Sequence, residues 1–324
     1  MERKDVCLVV FLGADNQAVS LKFSPFGKGD FYPQFLVAFY RQLRFNHAAA
    51  GADVRQSSFV FVLFGSVSDF AAPSRLFFHS AKEALVAGKH ILVEKPCTTA
   101  LANTEDLLKE ADEKGLAAHE NYMFAFHDQL EAVNGIVKSG EIGDVRLYRI
   151  SFGFPMRAQN DFRYNKALGG GALLDCGGYT MKYASLLLGP TAQLKYAQSN
   201  NIEGFSVDMY GSAALVNDEG VTAQIAFGMD HNYKCELEVW CSKGTLYTNR
   251  ILTAPAGLVP EVIIRKGNEE EKRNLPADDA FKKSILHFCK CIEDADTRKA
   301  NYETLLRQAR LVEDFKRLAN IDVK

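Results

Sequence analysis

Along residues 80–90, SAKEALVAGKH, apolar positions recur three and four apart and stop at Gly88, which predicts an amphipathic helix with a glycine at its end. ILVEKP follows as an apolar run closed by Pro96 and predicts a buried strand. A second helix is predicted over about Leu101 to Lys114, with Asn103 or Thr104 near its start and Gly115 past its end, and GLAAHENY returns as a short strand. Strand and helix in this alternation predict a parallel sheet with crossover helices.

After Tyr122 the pattern changes. A helix over about Gln129 to Ser139 and the turn GEIG lead into the strand VRLYRISFGF and a long loop to Gly169. Two stretches then alternate apolar and polar residues with a turn in the middle: DMYGSAALVNDEGVTAQIAFGM about Asp218-Glu219-Gly220, and CELEVWCSKGTLYTN about Lys243-Gly244. Both read as hairpins of one antiparallel meander. Phe281, Ile285, Phe288 and Ile292 at helical spacing, and a stretch from about Tyr302 to Leu318, predict two docking helices. The fold class expected is α/β: a Rossmann-like parallel sheet over residues 1–118, then an α+β domain over 119–324 with an open, mostly antiparallel sheet.

Composition narrows the partners. The chain has 324 residues, 47% hydrophobic and 24% charged, enough for two cored domains. A net charge of −2 with no basic block argues against nucleic acid, so a small-molecule partner is expected. No apolar run is long enough to span a bilayer and the N-terminus carries no leader pattern, so neither a membrane partner nor secretion is expected, and the cytoplasm is the expected location. Seven scattered cysteines form no CxxC pair, and Cys289 and Cys291 face different sides of a helix, so the thiols read as reduced and no metal site is expected.

The first ninety residues stand apart. They contain no Ile and no Thr, against 12 and 11 in the remainder, and hold 13 of the 23 Phe. DVCLVVFLGADNQA reads as a strand opening on a loop, but it offers only Gly13 where a dinucleotide-binding turn carries G-x-G-x-x-G. This bias fits a local disturbance of the reading frame before about residue 70.

Two local patterns carry chemistry. Lys95 ends a buried-type strand just before Pro96, at the carboxyl edge of a parallel sheet where open α/β sheets bind ligands. An ammonium there can hold a hydroxyl or carbonyl oxygen and can favour a neighbouring phenolate. In GGGALLDCGGYT, Asp175 and Tyr179 stand four apart, so a helix presents both on one face. Five glycines within ten residues, Gly169 to Gly171 with Gly177 and Gly178, are expected to clear space for a cofactor ring and a substrate. Arg163 in DFRYNK can grip phosphate or sugar oxygens with its forked donors, or form a surface salt bridge with Asp161.

GKHILVEKP and GGGALLDCGGY together resemble the glucose–fructose oxidoreductase, inositol dehydrogenase and MocA family, over about residues 71 to 324. APSRLF is similar to that family's P-N/S-x-x-H loop, with Phe77 where the His stands and His79 two residues off, and ENYMFAFH and SGEIGDVR resemble the segments joining its two domains. The Tyr four after the Asp is similar to the sugar-directed branch, which includes NDP-hexose 3-ketoreductases and dihydrodiol dehydrogenases. The resemblance implies an NADP- or NAD-dependent oxidoreductase passing hydride between nicotinamide and a sugar or cyclic polyol carbonyl. It implies Lys95, Tyr179 and Asp175 as catalytic residues and Gly13, Pro73, Ser74, Glu94, Lys95, Pro96 and Asn121 on the cofactor. It also implies Arg163, Tyr164 and Asp175 on the substrate, and a homo-oligomer formed through the open sheet. The alternatives are a dihydrodiol or polyol dehydrogenase and, of another class, a ligand-binding family member without turnover, which Phe77 and the lone Gly13 favour.

Overall fold

The computed structural model describes residues 5–12, 17–23, 57–63 and 74–321, with side chains from residue 78 onward. The chain divides into two compact units: one combines Met1–Tyr122 with Ala167–Gly169 and Ser284–Ala309, and the other holds Met123–Lys166, Gly170–Lys283 and Arg310–Lys324.

The first unit is built on five strands, β1 (Asp5–Leu12), β2 (Gln17–Phe23), β3 (Ser57–Leu63), β4 (His90–Val93) and β5 (Ala118–Glu120), ordered β2-β1-β3-β4-β5. β1, β3, β4 and β5 are parallel, as the alternation of strand and helix requires. β2 runs antiparallel to β1, because four intervening residues cannot make the crossover that a parallel neighbour needs. Helices α1 (Ser74–Val86) and α2 (Leu101–Glu113) end at Gly88 and Gly115, with φ of +74° and +63°. β4 is buried along its whole length, and Leu85, Ile91, Val93, Leu107, Leu108 and Ala118 form the core with Tyr302 and Leu305. The latter two lie on α6 (Ala295–Leu318), which follows α5 (Ala280–Glu293). α6 begins seven residues ahead of the predicted stretch, at Ala295 instead of Tyr302.

The second unit carries α3 (Asp128–Lys138) and an eight-stranded sheet of β6 (Val145–Gly153), β7 (Gln193–Asn200), β8 (Tyr210–Val216), β9 (Thr222–Gly228), β10 (Lys234–Cys241), β11 (Thr245–Asn249), β12 (Glu261–Lys266) and β13 (Glu269–Asn274). Its order is β13-β12-β11-β10-β6-β9-β8-β7. The predicted hairpins are β8–β9 and β10–β11, but they do not form one meander. β6 lies between them, antiparallel to β10 and parallel to β9. That insertion answers burial: Tyr148, Ile150 and Phe152 of β6 are all buried, and a central position supplies neighbours on both edges. Helix α4 (Gly178–Leu188), which packs on this sheet, is preceded by a π-helical turn over Leu173–Gly177.

Candidate active site

In the first unit the residues of interest gather at the carboxyl ends of β4 and β5. Glu94, Lys95 and Pro96 follow β4 directly, are half-buried, and the Lys95–Pro96 peptide is cis. Asn121 follows β5, fully buried; its backbone N–H donates to the Val93 carbonyl at 2.9 Å and its side-chain amide to Glu94 Oε1 at 2.9 Å. Glu120 accepts from the Cys97 backbone N–H at 2.7 Å, and burial, then the Glu120 charge, push the Cys97 thiol well above its ordinary value. Gly13 and Pro73 lie outside the described residues, and of Ser74 only the helical backbone is described.

Behind this edge runs a buried hydrogen-bond chain with no local signal in the sequence. Ser284 Oγ donates to Asn121 Oδ1 at 2.9 Å and lies 3.0 Å from His119 Nε2. His119 Nδ1 meets Asn301 Oδ1 at 3.2 Å, and the Asn301 amide donates to the Ala118 carbonyl at 2.6 Å. Because that amide must point its N–H at Ala118, its oxygen faces His119, and the proton of this contact sits on Nδ1. Ser284 comes from α5 and Asn301 from α6, more than 160 residues beyond the strand ends they hold, which is why no spacing rule finds them.

In the second unit Tyr179 lies on the first turn of α4, its ring 5.6 Å from Phe124 and 5.5 Å from Phe152, edge-on to the latter. Asp175 lies inside the π-helical turn, not on the regular helix that the spacing suggested. Such single wide turns recur at functional sites because they redirect side chains along a helix. Asp208 caps this segment: Leu173 N–H donates to its carboxylate at 2.6 Å and Ala172 N–H to its backbone carbonyl at 2.8 Å.

Arg163 is 4% exposed, so the surface salt bridge is corrected to a buried one. Its Nε donates to Asp175 Oδ2 at 2.7 Å, and its Nη1 donates to both Asp161 oxygens at 3.0 and 3.2 Å. Burial pulls the guanidinium pKa down, yet Asp175 and Asp161 outweigh it and the net shift is upward. Tyr164 is also buried, and its hydroxyl accepts from the Arg157 backbone N–H at 2.8 Å.

The glycines clear space for the protein itself. A Cβ at Gly170 would lie 2.3 Å from the Arg163 carbonyl oxygen, at Gly171 2.2 Å from Asp208 Oδ1, and at Gly177 2.9 Å from the Phe227 ring. The expectation of room for a cofactor ring and substrate is therefore corrected at these three: what approaches is a backbone, a cap and a core ring. Among the described residues no group of acidic, His or Cys side chains could hold a metal, and no helix is long and apolar enough to cross a membrane.

Comparison with known proteins adds independent findings. Residues 68–122 match the oxidoreductase family with an NAD-binding Rossmann fold, and residues 130–247 match the GFO/IDH/MocA C-terminal domain. The chain is 39% identical over 241 residues to dTDP-3,4-didehydro-2,6-dideoxy-alpha-D-glucose 3-reductase of Actinomadura kijaniata, covering 74% of this chain and 73% of that one. KijD10, a 3-ketoreductase from the same organism solved with NADP and TDP-benzene, superposes with a TM-score of 0.77 at 34% identity, over 87% of this chain and 85% of its own. KijD10 is also known as a tyrosine-to-phenylalanine variant (TM-score 0.75, 35% identity, 86% and 81% covered) and a lysine-to-alanine variant (0.72, 34%, 86% and 80%). Those two residues stand as far apart in KijD10 as Lys95 and Tyr179 do here. With the two family matches side by side and this identity over nearly three quarters of its length, the chain belongs to the GFO/IDH/MocA family of oxidoreductases.

Proposed function

We propose that this protein is an NADP-dependent ketoreductase acting on a sugar carried by a nucleoside diphosphate. The observation that carries the reading is the pair Lys95, at the end of β4, and Tyr179, on the first turn of α4, in the same chain spacing as the lysine and tyrosine replaced in KijD10. The carboxyl ends of the parallel strands, with half-buried Glu94 and buried Asn121 fixed to each other, fit the nicotinamide end of a dinucleotide. When bound, the cofactor supplies the hydride.

Everything else falls to side chains. A carbonyl oxygen gains negative charge as it is reduced and needs a proton. Tyr179 donates that proton, and the Lys95 ammonium stabilises the charge on the same oxygen while lowering the cost of a phenolate. Asp175 orients the substrate hydroxyls or Tyr179, and Arg163 acts through Asp175 as a positioning residue, since the donors it uses already serve two carboxylates. The reading also takes a second copy of this chain on the outer sheet face, where Trp240 is 39% exposed beneath the Arg149 guanidinium.

The test is steady-state reduction of a dTDP-linked 3-keto-sugar with NADPH. Tyr179→Phe and Lys95→Ala are each expected to lower kcat by about 10²–10⁴-fold with NADPH affinity unchanged. The double variant is expected to be little worse than the poorer single one, because both groups serve one oxygen. Near-wild-type turnover in Tyr179→Phe would assign the proton to another group.

A further inference from the structure

The buried row behind β4 and β5 has more contacts than neutral side chains have protons to fill. Its two ends fix its direction. Ala118 offers a carbonyl, which only accepts, so Asn301 turns its amide nitrogen there and its Oδ1 inward. Glu94 offers a carboxylate, which also accepts, so Asn121 turns its amide nitrogen there and its Oδ1 inward. Between these two oxygens the Ser284 hydroxyl and the His119 ring span three contacts: Asn121 Oδ1 to Ser284 Oγ at 2.9 Å, Ser284 Oγ to His119 Nε2 at 3.0 Å, and His119 Nδ1 to Asn301 Oδ1 at 3.2 Å. Each contact takes one proton. A serine supplies one and a neutral imidazole one, so the third contact needs a second proton on the ring.

The two charge states of His119 place the Ser284 proton differently. With both ring nitrogens protonated, Nδ1 donates to Asn301, Nε2 donates to Ser284, and the hydroxyl donates to Asn121. With one proton, Nδ1 keeps it, because the oxygen it faces offers none, and Nε2 becomes an acceptor. That ring nitrogen is more basic than an amide oxygen, so the hydroxyl turns from Asn121 to His119. Ser284 is 0%, His119 1% and Asn121 3% exposed, so bulk water does not replace the donor that Asn121 loses. Burial opposes a charge on the ring, and its neighbours set the balance. Glu94 at the end of the row and Glu120 beside His119 in β5 are carboxylates, which favour the cation. On α5 the His287 ring stands 5.5 Å away and Phe288 stacks at 6.2 Å. His287 is held below its ordinary value by burial first, against its Asn301 hydrogen bond and with Lys290 adding to the fall, which limits repulsion between the two rings. From α6 the ring faces the neutral Asn301.

We propose that the Ser284 hydroxyl is a proton-set switch under these strand ends: it holds Asn121 when His119 is doubly protonated and turns to the ring when His119 is neutral. Ser284 and His119 are thus positioning residues, acting on Glu94 through the Asn121 amide. The inference rests on the reading that Glu94 and Asn121 face the nicotinamide, and adds that cofactor affinity follows the charge of a histidine buried behind them. The row is complete with the proton bound, so NADPH affinity falls as rising pH removes it. By reciprocity, bound NADPH strengthens proton binding at His119 by the same factor.

The experiment is nitrogen NMR of the full chain labelled at histidine and asparagine, with and without NADPH, beside NADPH titration by nicotinamide fluorescence, both from about pH 6 to about pH 8.5. His119→Gln and Asn121→Ala assign the two signals. At the acid end both His119 ring nitrogens are expected to carry protons. Raising the pH removes one, the Asn121 amide signal moves in step, and NADPH carries the change to higher pH. Across that step NADPH affinity is expected to fall by about 5- to 100-fold, the range for a buried acceptor that loses its donor. Ser284→Ala is expected to bind NADPH weakly at the acid end already and to show no step. His119→Gln keeps an N–H toward Ser284 and cannot titrate, so its affinity also shows no step. A His119 ring with a single proton at about pH 6, an Asn121 amide that ignores the ring's titration, or an affinity step that survives Ser284→Ala overturns the proposal. A His119 titration that Asn121 follows but NADPH affinity ignores supports the switch and refutes the placing of Glu94 and Asn121 on the cofactor, so the two failures are distinct.

Discussion

Removing the Arg163 guanidinium tests how firmly the candidate site is held. Arg163→Met keeps most of the apolar stem and deletes the donors of three hydrogen bonds to Asp175 and Asp161. The side chains are 5%, 16% and 4% exposed for Arg163, Asp175 and Asp161, so water cannot take the arginine's place at Asp161 and only partly can at Asp175. Breaking a buried pair by removing one partner costs about 3–5 kcal/mol, because the other charge stays buried. Here two carboxylates are left, which sets the expectation at the upper end. Against total stabilities of about 5–15 kcal/mol, that is a large loss. Urea unfolding followed by far-UV circular dichroism, and by the fluorescence of Trp240 in the second unit, measures it. A loss below about 1 kcal/mol at neutral pH would refute the argument, because it would show Arg163 to be a solvated, replaceable contact.

Ser284→Ala takes the hydrogen-bond donor from buried Asn121 Oδ1, and a loss of about 1–3 kcal/mol in thermal or urea unfolding is expected, together with weaker NADPH binding from a loosened Glu94–Asn121 pair. Stability should fall as pH drops below about 6.5, the unfolded histidine value, since His127 and His287 are held below it by burial first; Lys283 adds to this at His127, where Asp278 and Asp128 oppose it, and Lys290 adds to it at His287, where the Asn301 hydrogen bond opposes it. The unfolded chain then binds more protons than the folded one, and His127 has a further reason, because its Nδ1 accepts the Gln129 N–H that caps α3; denaturation between pH 7.5 and 5.5 with a His127→Asn control reads the slope. Resequencing the source gene is expected to show a shifted frame ahead of codon 70, and an undisturbed frame with tight NADPH binding would overturn that expectation.

Much of the fold was legible because local chemistry dictates it. The glycines ending α1 and α2 and the run of β4 fall where the pattern places them. The neighbour order of the large sheet was not legible, because alternation says which face is buried and not which strand lies alongside: β6 fits between two hairpins as well as at an edge. β7, β12 and β13 went unread; Val262 and Ile264 alternate inward on β12, but β13 is EEEKRN, almost wholly exposed and without an apolar signal. At the site, types and spacing singled out Lys95, Asp175 and Tyr179 and offered Asp161 as a partner of Arg163, whereas the burial of that pair and the π-helical turn under Asp175, which Asp208 caps from further along the chain, leave no local signal.

The first unit takes in Ser284–Ala309, and this has a temporal meaning. On the ribosome, where chains emerge at about 5–20 residues per second, β4 and β5 appear long before α5 and α6. Until those helices arrive, His119 and Asn121 have no Ser284 or Asn301, and the core around Leu107 and Ile91 lacks Tyr302 and Leu305. The nascent nucleotide-binding half must wait incomplete while the second unit is synthesised as far as Lys283, an interval in which a chaperone has more to hold than a finished domain.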